Sequence, residues 1–159
     1  MVKHYAIALT VIGALLFFGC VSNQSKVSGA ASDGILITPN LLDKITDIEW
    51  QLTKMTLNNK SIDLVENSKT TLTCDENGSV SGIATLNRYS GNLKLQPDGE
   101  IIWSKAFIMT RMAGPPALMQ QEENFTQALM KTSRMYLNGS KLILCSQDRA
   151  TVLEFEPAK

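Results

Sequence analysis

Apolar and polar residues alternate along most of the chain after about residue 47, which is the spacing of half-buried β-strands. The segment IEWQLTKM places Ile48, Trp50 and Leu52 on one side, with polar residues between them. Similar patterns occur in the segments TTLTCD, SVSGIATL, NLKLQ, EIIWSKAFIM, KLILCS and TVLEFE. Turn residues such as Asn77-Gly78 separate them, so the pattern predicts short antiparallel strands joined by tight turns.

The spacing changes after Gly114, where Leu118, Phe125 and Ala128 recur at the intervals of one helical face. Two prolines, Pro115 and Pro116, suit the first positions of a helix because their missing N–H groups would have no partner there. Strands therefore precede and follow one helix. The order predicts an α+β fold, in which a small, barrel-like antiparallel β-sheet of about eight strands wraps around one α-helix.

The first twenty residues have the layout of an export signal. Lys3 precedes an apolar run from Tyr5 to Phe18, and Gly19 and Cys20 follow it. A membrane-spanning helix needs roughly 20 apolar residues, so a transmembrane anchor is the weaker interpretation. The pattern predicts a signal peptide over residues 1–19 and a lipidated Cys20, because bacterial lipoprotein signals end in a small residue before the modified cysteine.

Three regions of the chain follow from this interpretation. Residues 1–19 form the signal peptide, residues 20–46 form the lipidated cysteine and a flexible tether, and residues 47–159 form the folded domain. Val21 is not an aspartate, which favours the outer membrane, with the domain in the periplasm. The alternative is cleavage near VSGAAS and secretion to the periplasm in soluble form.

Charge and histidine content narrow the possible functions. The full chain carries 15 basic and 15 acidic residues, and removal of Lys3 with the signal leaves a net charge near −1. This balance and the absence of a basic cluster give no reason to expect nucleic-acid binding. Removal of residues 1–19 also removes His4, the one histidine. Histidine-based catalysis and ordinary zinc sites need imidazole, so we predict a protein that is not an enzyme and holds no metal or cofactor.

Two cysteines remain after Cys20 is assigned to lipid. Cys74 and Cys145 each end an apolar run before a polar turn. In an oxidising compartment they could form a disulfide between two strands, and two separately buried thiols are an equally good interpretation.

The segments SGIATLNRYSG, TRMAG and the closing KLIL and LEF pair resemble the META domain, the family that includes the heat-shock protein HslJ. The resemblance spans about residues 49–155. It implies a compact antiparallel sheet around one helix, in an envelope lipoprotein or exported protein linked to envelope stress. It also implies two cysteines in many members, at places that Leu86 and the segment 113–115 occupy here.

Four residues near the helix are candidates for a ligand site. Arg111 could hold a carboxylate or phosphate, or instead link the strand end to the NRYSG segment. Met112, Met119 and Phe125 could line an apolar cleft, although methionines near a helix are more often core residues. The adjacent glutamates Glu122 and Glu123 point about 100° apart on a helix, so they cannot act as an acid/base pair and are assigned to a solvated helix face.

These observations lead to two hypotheses for function. The first is an outer-membrane lipoprotein that acts by binding or by supporting envelope integrity under stress. The second is a carrier or pilot-type lipoprotein, whose cleft takes an acyl chain or an amphipathic peptide. The expected partners are the membrane, through Cys20, and an envelope protein or hydrophobic ligand.

Overall fold

The computed structural model describes residues 34–159. The signal peptide, Cys20 and the first part of the tether lie outside the described residues, so the predictions that concern them stay predictions.

The described residues form eleven β-strands, one 3₁₀ helix and one α-helix. The 3₁₀ helix spans Pro39–Lys44 and the α-helix, α1, spans Pro116–Lys131. The strands are β1 (Ile35–Leu36), β2 (Trp50–Leu57), β3 (Lys60–Ile62), β4 (Thr71–Cys74), β5 (Ser79–Ile83), β6 (Arg88–Leu95), β7 (Ile101–Trp103), β8 (Ile108–Met109), β9 (Arg134–Asn138), β10 (Lys141–Cys145) and β11 (Val152–Pro157).

All strand pairs among residues 34–159 are antiparallel, in the order β1-β9-β10-β11-β2-β4-β5-β6-β7. Off this path, β3 pairs with β2 and β8 pairs with β6. The predicted α+β fold is therefore confirmed. The described chain has eleven strands rather than about eight, because β1, β3 and β8 contain only two or three residues each. Strands this short carry too few residues to show an alternation.

Two segments differ from their predicted structure. The NRYSG segment lies between two of the predicted strands, SVSGIATL and NLKLQ, yet β6 begins at Arg88 and runs through it. Its alternation is hidden because Gly91 occupies an inner position next to the ring of Phe107. The segment EIIWSKAFIM was expected to be one long strand, and it forms β7 and β8 with a break between them. Both short strands pair with the same edge of β6.

The domain begins earlier than the sequence indicates. Residues 34–46, which were assigned to the tether, include β1 and the 3₁₀ helix. Ile37 and Ile45 are completely buried, and the indole Nε1 of Trp50 donates a hydrogen bond to the carbonyl of Ile45 at 3.0 Å. This contact ties the 3₁₀ segment to β2, so residues 34–46 belong to the folded unit.

Helix α1 covers the core with one apolar face, as its spacing predicts. Phe125, Ala128 and Leu129 are completely buried in the same cluster as Trp50 and Phe155 from the sheet. The helix begins at Pro116, directly after Pro115, and its last residue is Lys131. Burying a side chain as large as phenylalanine contributes on the order of 2 kcal/mol, so this face fixes the helix on the sheet.

The two cysteines of the domain are separate buried thiols in this structure, not a disulfide. Cys74 ends β4 and Cys145 ends β10, and two strands, β11 and β2, lie between them in the sheet order. Neighbouring strands are about 4.8 Å apart, so this separation is too wide along the sheet for a disulfide. Burial, and then the nearby Asp75 carboxylate, raise the pKa of the Cys74 thiol to about 11.

An aspartate closes the hairpin between β4 and β5. One carboxylate oxygen of Asp75 accepts hydrogen bonds from the N–H groups of Asn77 and Ser79, at 2.9 and 2.8 Å. Gly78 in the same turn has a φ of 79°, a conformation that favours glycine. The backbone hydrogen bond from Ser79 is the main reason that the pKa of Asp75 lies below its usual value. The turn is therefore most stable when this carboxylate is charged.

Candidate functional site

The chain from β8 to the first half of α1 carries most of the residues selected by the sequence. Arg111 and Met112 follow β8, and Met119 lies in α1; all three are exposed. They line one surface beside the start of the helix. The structure thus brings three of the four candidates together.

Asn87 connects this segment to the start of β6. Its side chain is buried, with 3% exposed. The amide oxygen Oδ1 accepts hydrogen bonds from the Thr110 hydroxyl at 2.8 Å and from the Met112 N–H at 2.7 Å. The amide nitrogen Nδ2 donates to the Met112 carbonyl at 3.1 Å. One side chain therefore fixes both main-chain groups of Met112.

Glu122 completes this connection from the helix. Its Oε2 accepts hydrogen bonds from the N–H groups of Leu86 and Asn87, at 3.1 and 2.7 Å, and its Oε1 accepts from Asn87 Nδ2 at 2.8 Å. The sequence assigned Glu122 to a solvated helix face, and that assignment is wrong because the carboxylate turns inward to three N–H donors. We call Asn87, Thr110, Met112 and Glu122 the junction.

Two further contacts strengthen the junction. Arg88 and Thr110 face each other: the Arg88 N–H donates to the Thr110 hydroxyl, and the Thr110 N–H donates to the Arg88 carbonyl. A Cβ atom added to Gly114 would lie 2.7 Å from the Leu86 side chain, so glycine allows these segments to touch. Leu86 and Gly114 mark the places where the resemblance implies cysteines, and an apolar contact joins them here.

Arg111 does not have the linking role that was one of its two expected roles. Its side chain is exposed, and among residues 34–159 no carboxylate forms an ion pair with it. The linking role belongs to Asn87 and Glu122 instead. Arg111 contributes a positive charge beside Met112, at the edge of the surface.

An apolar groove of about 740 Å³ runs between β8 and α1. Its apolar walls come from Met109, Met112, Pro116 and Met119, and its polar side comes from Gln120, Glu122, Glu123, Thr126 and Gln127. Met112 is 61% exposed and Met119 is 46% exposed, and together they present contiguous apolar surface to solvent along the groove. We call this feature the methionine groove.

Phe125 is not part of the methionine groove, so its assignment to the cleft is wrong. The side chain is completely buried, and its ring centroid lies 5.8 Å from that of Tyr89 in the core. Tyr89 in turn stacks on Phe107 at 5.2 Å. Phe125 and Met119 lie six positions apart on α1, which places them on different faces. Phe125 supports the groove only by holding the helix in place.

Sequence reasoning missed a second polar contact of α1. Gln121 is buried; its Oε1 accepts a hydrogen bond from the Val65 N–H at 2.6 Å. Its Nε2 donates to the hydroxyls of Ser68 and Thr85, at 2.9 and 3.1 Å. A signal existed, since Gln121 precedes Phe125 by four positions and so shares its face. The contact ties the chain after β3 to the helix.

Residues 34–159 contain no group of three or more histidine, cysteine, aspartate or glutamate side chains that could hold a metal ion. No helix within these residues is long and apolar enough to cross a membrane.

Comparisons with known proteins agree with the fold. The model of the META domain family matches residues 43–159. An NMR structure of a protein from Burkholderia xenovorans is similar over 87% of this chain and 99% of its own, with a TM-score of 0.64 and 20% identity. A crystal structure of a DUF4847 family protein from Bacteroides vulgatus ATCC 8482 is similar over 75% of this chain and 98% of its own. Its TM-score is 0.53 and its identity 11%, so both structures support the fold alone. None of the curated proteins compared with the chain matches it.

Proposed function

The chain belongs to the META domain family, and we propose that it is a non-enzymatic lipoprotein of the outer membrane. In this proposal, Cys20 anchors the protein and the domain faces the periplasm, where it supports the envelope under stress by binding. The binding site is the methionine groove, and its ligand is a hydrophobic or amphipathic molecule. This proposal joins the binding role with the carrier or pilot-type role, because both need an accessible apolar surface.

The observation that carries the proposal is the exposure of Met112 and Met119. Exposed apolar side chains are unfavourable in water, and unbranched thioethers adapt to ligands of irregular shape. The junction fixes the main chain of Met112 through its hydrogen bonds with Asn87, so the backbone at this end of the groove is preorganised. Such preorganisation favours binding because little order is lost when a ligand enters.

The sequence supports the location. Lys3, the apolar run before Gly19 and the cysteine at position 20 fit a lipoprotein signal. Radiolabelled palmitate should enter the wild-type chain and should not enter Cys20→Ser. Equal labelling of both would contradict a lipid anchor and favour the secreted alternative.

A titration with an apolar fluorescent dye tests the binding site. The double variant Met112→Gln and Met119→Gln should bind the dye at least about tenfold more weakly, because two apolar walls become polar. Met130→Gln is the matched control, since Met130 is also exposed on α1 but does not line the groove. Equal weakening by the control would contradict the assignment of the site.

A chemical probe tests the proposal that the protein is not an enzyme. A hydrolase-directed probe should label no serine of the chain, because the proposed mature protein has no histidine to act as a base. Specific labelling of Ser90 or Ser104 would contradict this part of the proposal.

A further inference from the structure

The edge of β8 is open on the side that borders the methionine groove. β8 pairs with β6 on one side, and among residues 34–159 no strand pairs with its other side. The Thr110 N–H donates to the Arg88 carbonyl. In an antiparallel ladder, hydrogen-bonded and non-hydrogen-bonded pairs alternate, so Met109, opposite Tyr89, is a non-hydrogen-bonded position. Its N–H and C=O therefore point away from β6, toward the open edge.

The two faces of this edge differ in chemistry. Met109 lines the methionine groove, whereas Ile108 and Thr110 line a more polar cavity on the opposite face of β6, with Ser81 and Ser90. A strand added at the edge would alternate its side chains between these two faces. Its groove-side residues should be apolar, and its other residues should be small and polar.

Charge further restricts the occupant of the groove. Two carboxylates on α1, Glu122 and Glu123, line the groove, while the basic Arg111 lies outside its lining residues, at the edge beside Met112. The Glu122 carboxylate is held by the junction, but Glu123 is exposed and contacts only the neutral amides of Gln120 and Gln127 among the described side chains. The part of the groove beside Glu123 therefore favours a cationic group over an anionic lipid headgroup.

We propose that the methionine groove and the open edge of β8 together bind an extended, cationic amphipathic peptide segment, which adds to the sheet as a further strand beside β8. This inference rests on the proposed function, because it specifies the ligand of the same groove. The main chain of the segment pairs with Met109, its apolar side chains contact Met112 and Met119, and a basic side chain reaches Glu123. Peptides recognised in this way gain affinity from main-chain hydrogen bonds and specificity from alternate side chains.

A defined synthetic peptide tests the proposal. It has seven residues, with valine at the third and fifth positions, lysine at both ends and threonine elsewhere. The full-length chain is reconstituted in nanodiscs of zwitterionic lipid, with empty nanodiscs as the background, and binding is followed by fluorescence anisotropy. Saturable binding to the protein is expected. No binding above the background, with dye binding retained, would overturn the peptide proposal and leave the proposed function intact.

Backbone methylation of the peptide tests strand addition. A residue opposite Met109 turns its N–H toward β8 and its side chain toward the groove, as the two valines do in this design. N-methylation of one valine should weaken binding by at least about tenfold through the loss of one hydrogen bond and a new clash. N-methylation of the central threonine is the control, because its N–H points away from β8. Equal effects of the two methyl groups would rule out pairing with this edge.

Charge substitutions test the role of Glu123. Glu123→Gln should weaken binding of the lysine peptide roughly threefold to tenfold, and replacement of both lysines by glutamate should weaken it further. Glu76→Gln is the control, because Glu76 is exposed in the distant β4–β5 turn. If Glu76→Gln had the same effect, or if the glutamate peptide bound as well, the charge argument would be wrong.

A second copy of the chain is the competing occupant of an open strand edge. Sedimentation of the nanodisc-free chain in detergent should show a monomer at the concentrations used for peptide binding. If a dimer forms and the peptide dissociates it, the peptide and the second copy bind the same edge, which would support the proposal. A dimer that the peptide cannot displace would assign the edge to self-association and overturn the proposal.

Discussion

The junction and the methionine groove share two segments, the chain after β8 and the first half of α1. They differ in whether their side chains have partners within the protein. In the junction, Asn87 and Glu122 pair with main-chain groups, and little is left for a ligand. In the groove, Met112 and Met119 remain exposed. Adjacent glutamates show the same contrast, since Glu122 turns into the junction and Glu123 stays at the groove. The segment that carries the family resemblance is therefore mainly structural, and its exposed neighbours form the proposed binding surface.

The core beneath both regions should give the largest effect. Phe125→Ala is expected to lower the free energy of unfolding by about 3–5 kcal/mol, because it opens a cavity beside Tyr89. Urea denaturation measures this change. Met119→Ala on the same helix should cost less than about 1 kcal/mol, since that side chain is partly in solvent. Similar losses for both variants would remove the distinction between core and groove.

The junction should give the next largest effect. Asn87→Ala is expected to lower the free energy of unfolding by about 2–4 kcal/mol, because it leaves the main chain of Met112 and the Oε1 atom of Glu122 without their side-chain partner. Chemical denaturation again gives the value. Asn92→Ala, an exposed position on the same strand, is the control. A loss below about 0.5 kcal/mol for Asn87→Ala would mean that the junction contributes little.

The adjacent glutamates provide a comparison within one helical turn. Glu122→Gln is expected to cost about 1–3 kcal/mol, because both carboxylate oxygens accept hydrogen bonds and, in either orientation of the amide, its NH₂ group would face N–H donors. Glu123→Gln should change stability by less than about 0.5 kcal/mol. Thermal and urea unfolding of the two variants check this difference. Equal effects would contradict the different roles assigned to these carboxylates.

The smallest expected effect is on how the free energy of unfolding depends on pH, and it comes from Asp75 in the β4–β5 turn, outside both regions. The pKa of Asp75 is lowered in the folded protein, chiefly by the hydrogen bond from the Ser79 N–H. A carboxylate with a lowered pKa stabilises the fold above its usual pKa, and this contribution is lost as pH falls through the folded value. Asp75→Asn should therefore reduce the fall in unfolding free energy between about pH 5 and pH 2. Glu76→Gln, measured over the same pH range, is the control. Its free energy of unfolding should fall with pH more nearly as that of the wild type does.

Part of this structure could be predicted from the sequence. Alternation located β2 and the closing strands, and helical spacing with two prolines located α1. Phe125 could have been assigned to the core, since it lies on the same stripe as Ala128 and Leu129. The two-residue strand β8 could not be predicted, because its residues pair only through the distant β6.

The candidate site was predictable only in outline. Proximity of Arg111, Met112 and Met119 follows from their places around one strand end and one helix start. Helical spacing places Glu122, three positions before Phe125, nearer the apolar stripe than Glu123. The partners of Glu122 could not be predicted, because they lie 35 and 36 positions earlier in the chain. Likewise, Asn87 looks like an ordinary turn residue until its contacts with Thr110 and Met112 are known.

The central claim is that the junction holds the fold while the methionine groove binds the ligand. Its most direct test is a parallel measurement of apolar dye affinity and unfolding free energy on the double variant Met112→Gln and Met119→Gln. We predict a loss of affinity of at least about tenfold with a change in stability below about 1 kcal/mol. Wild-type affinity in that stably folded variant would contradict the account.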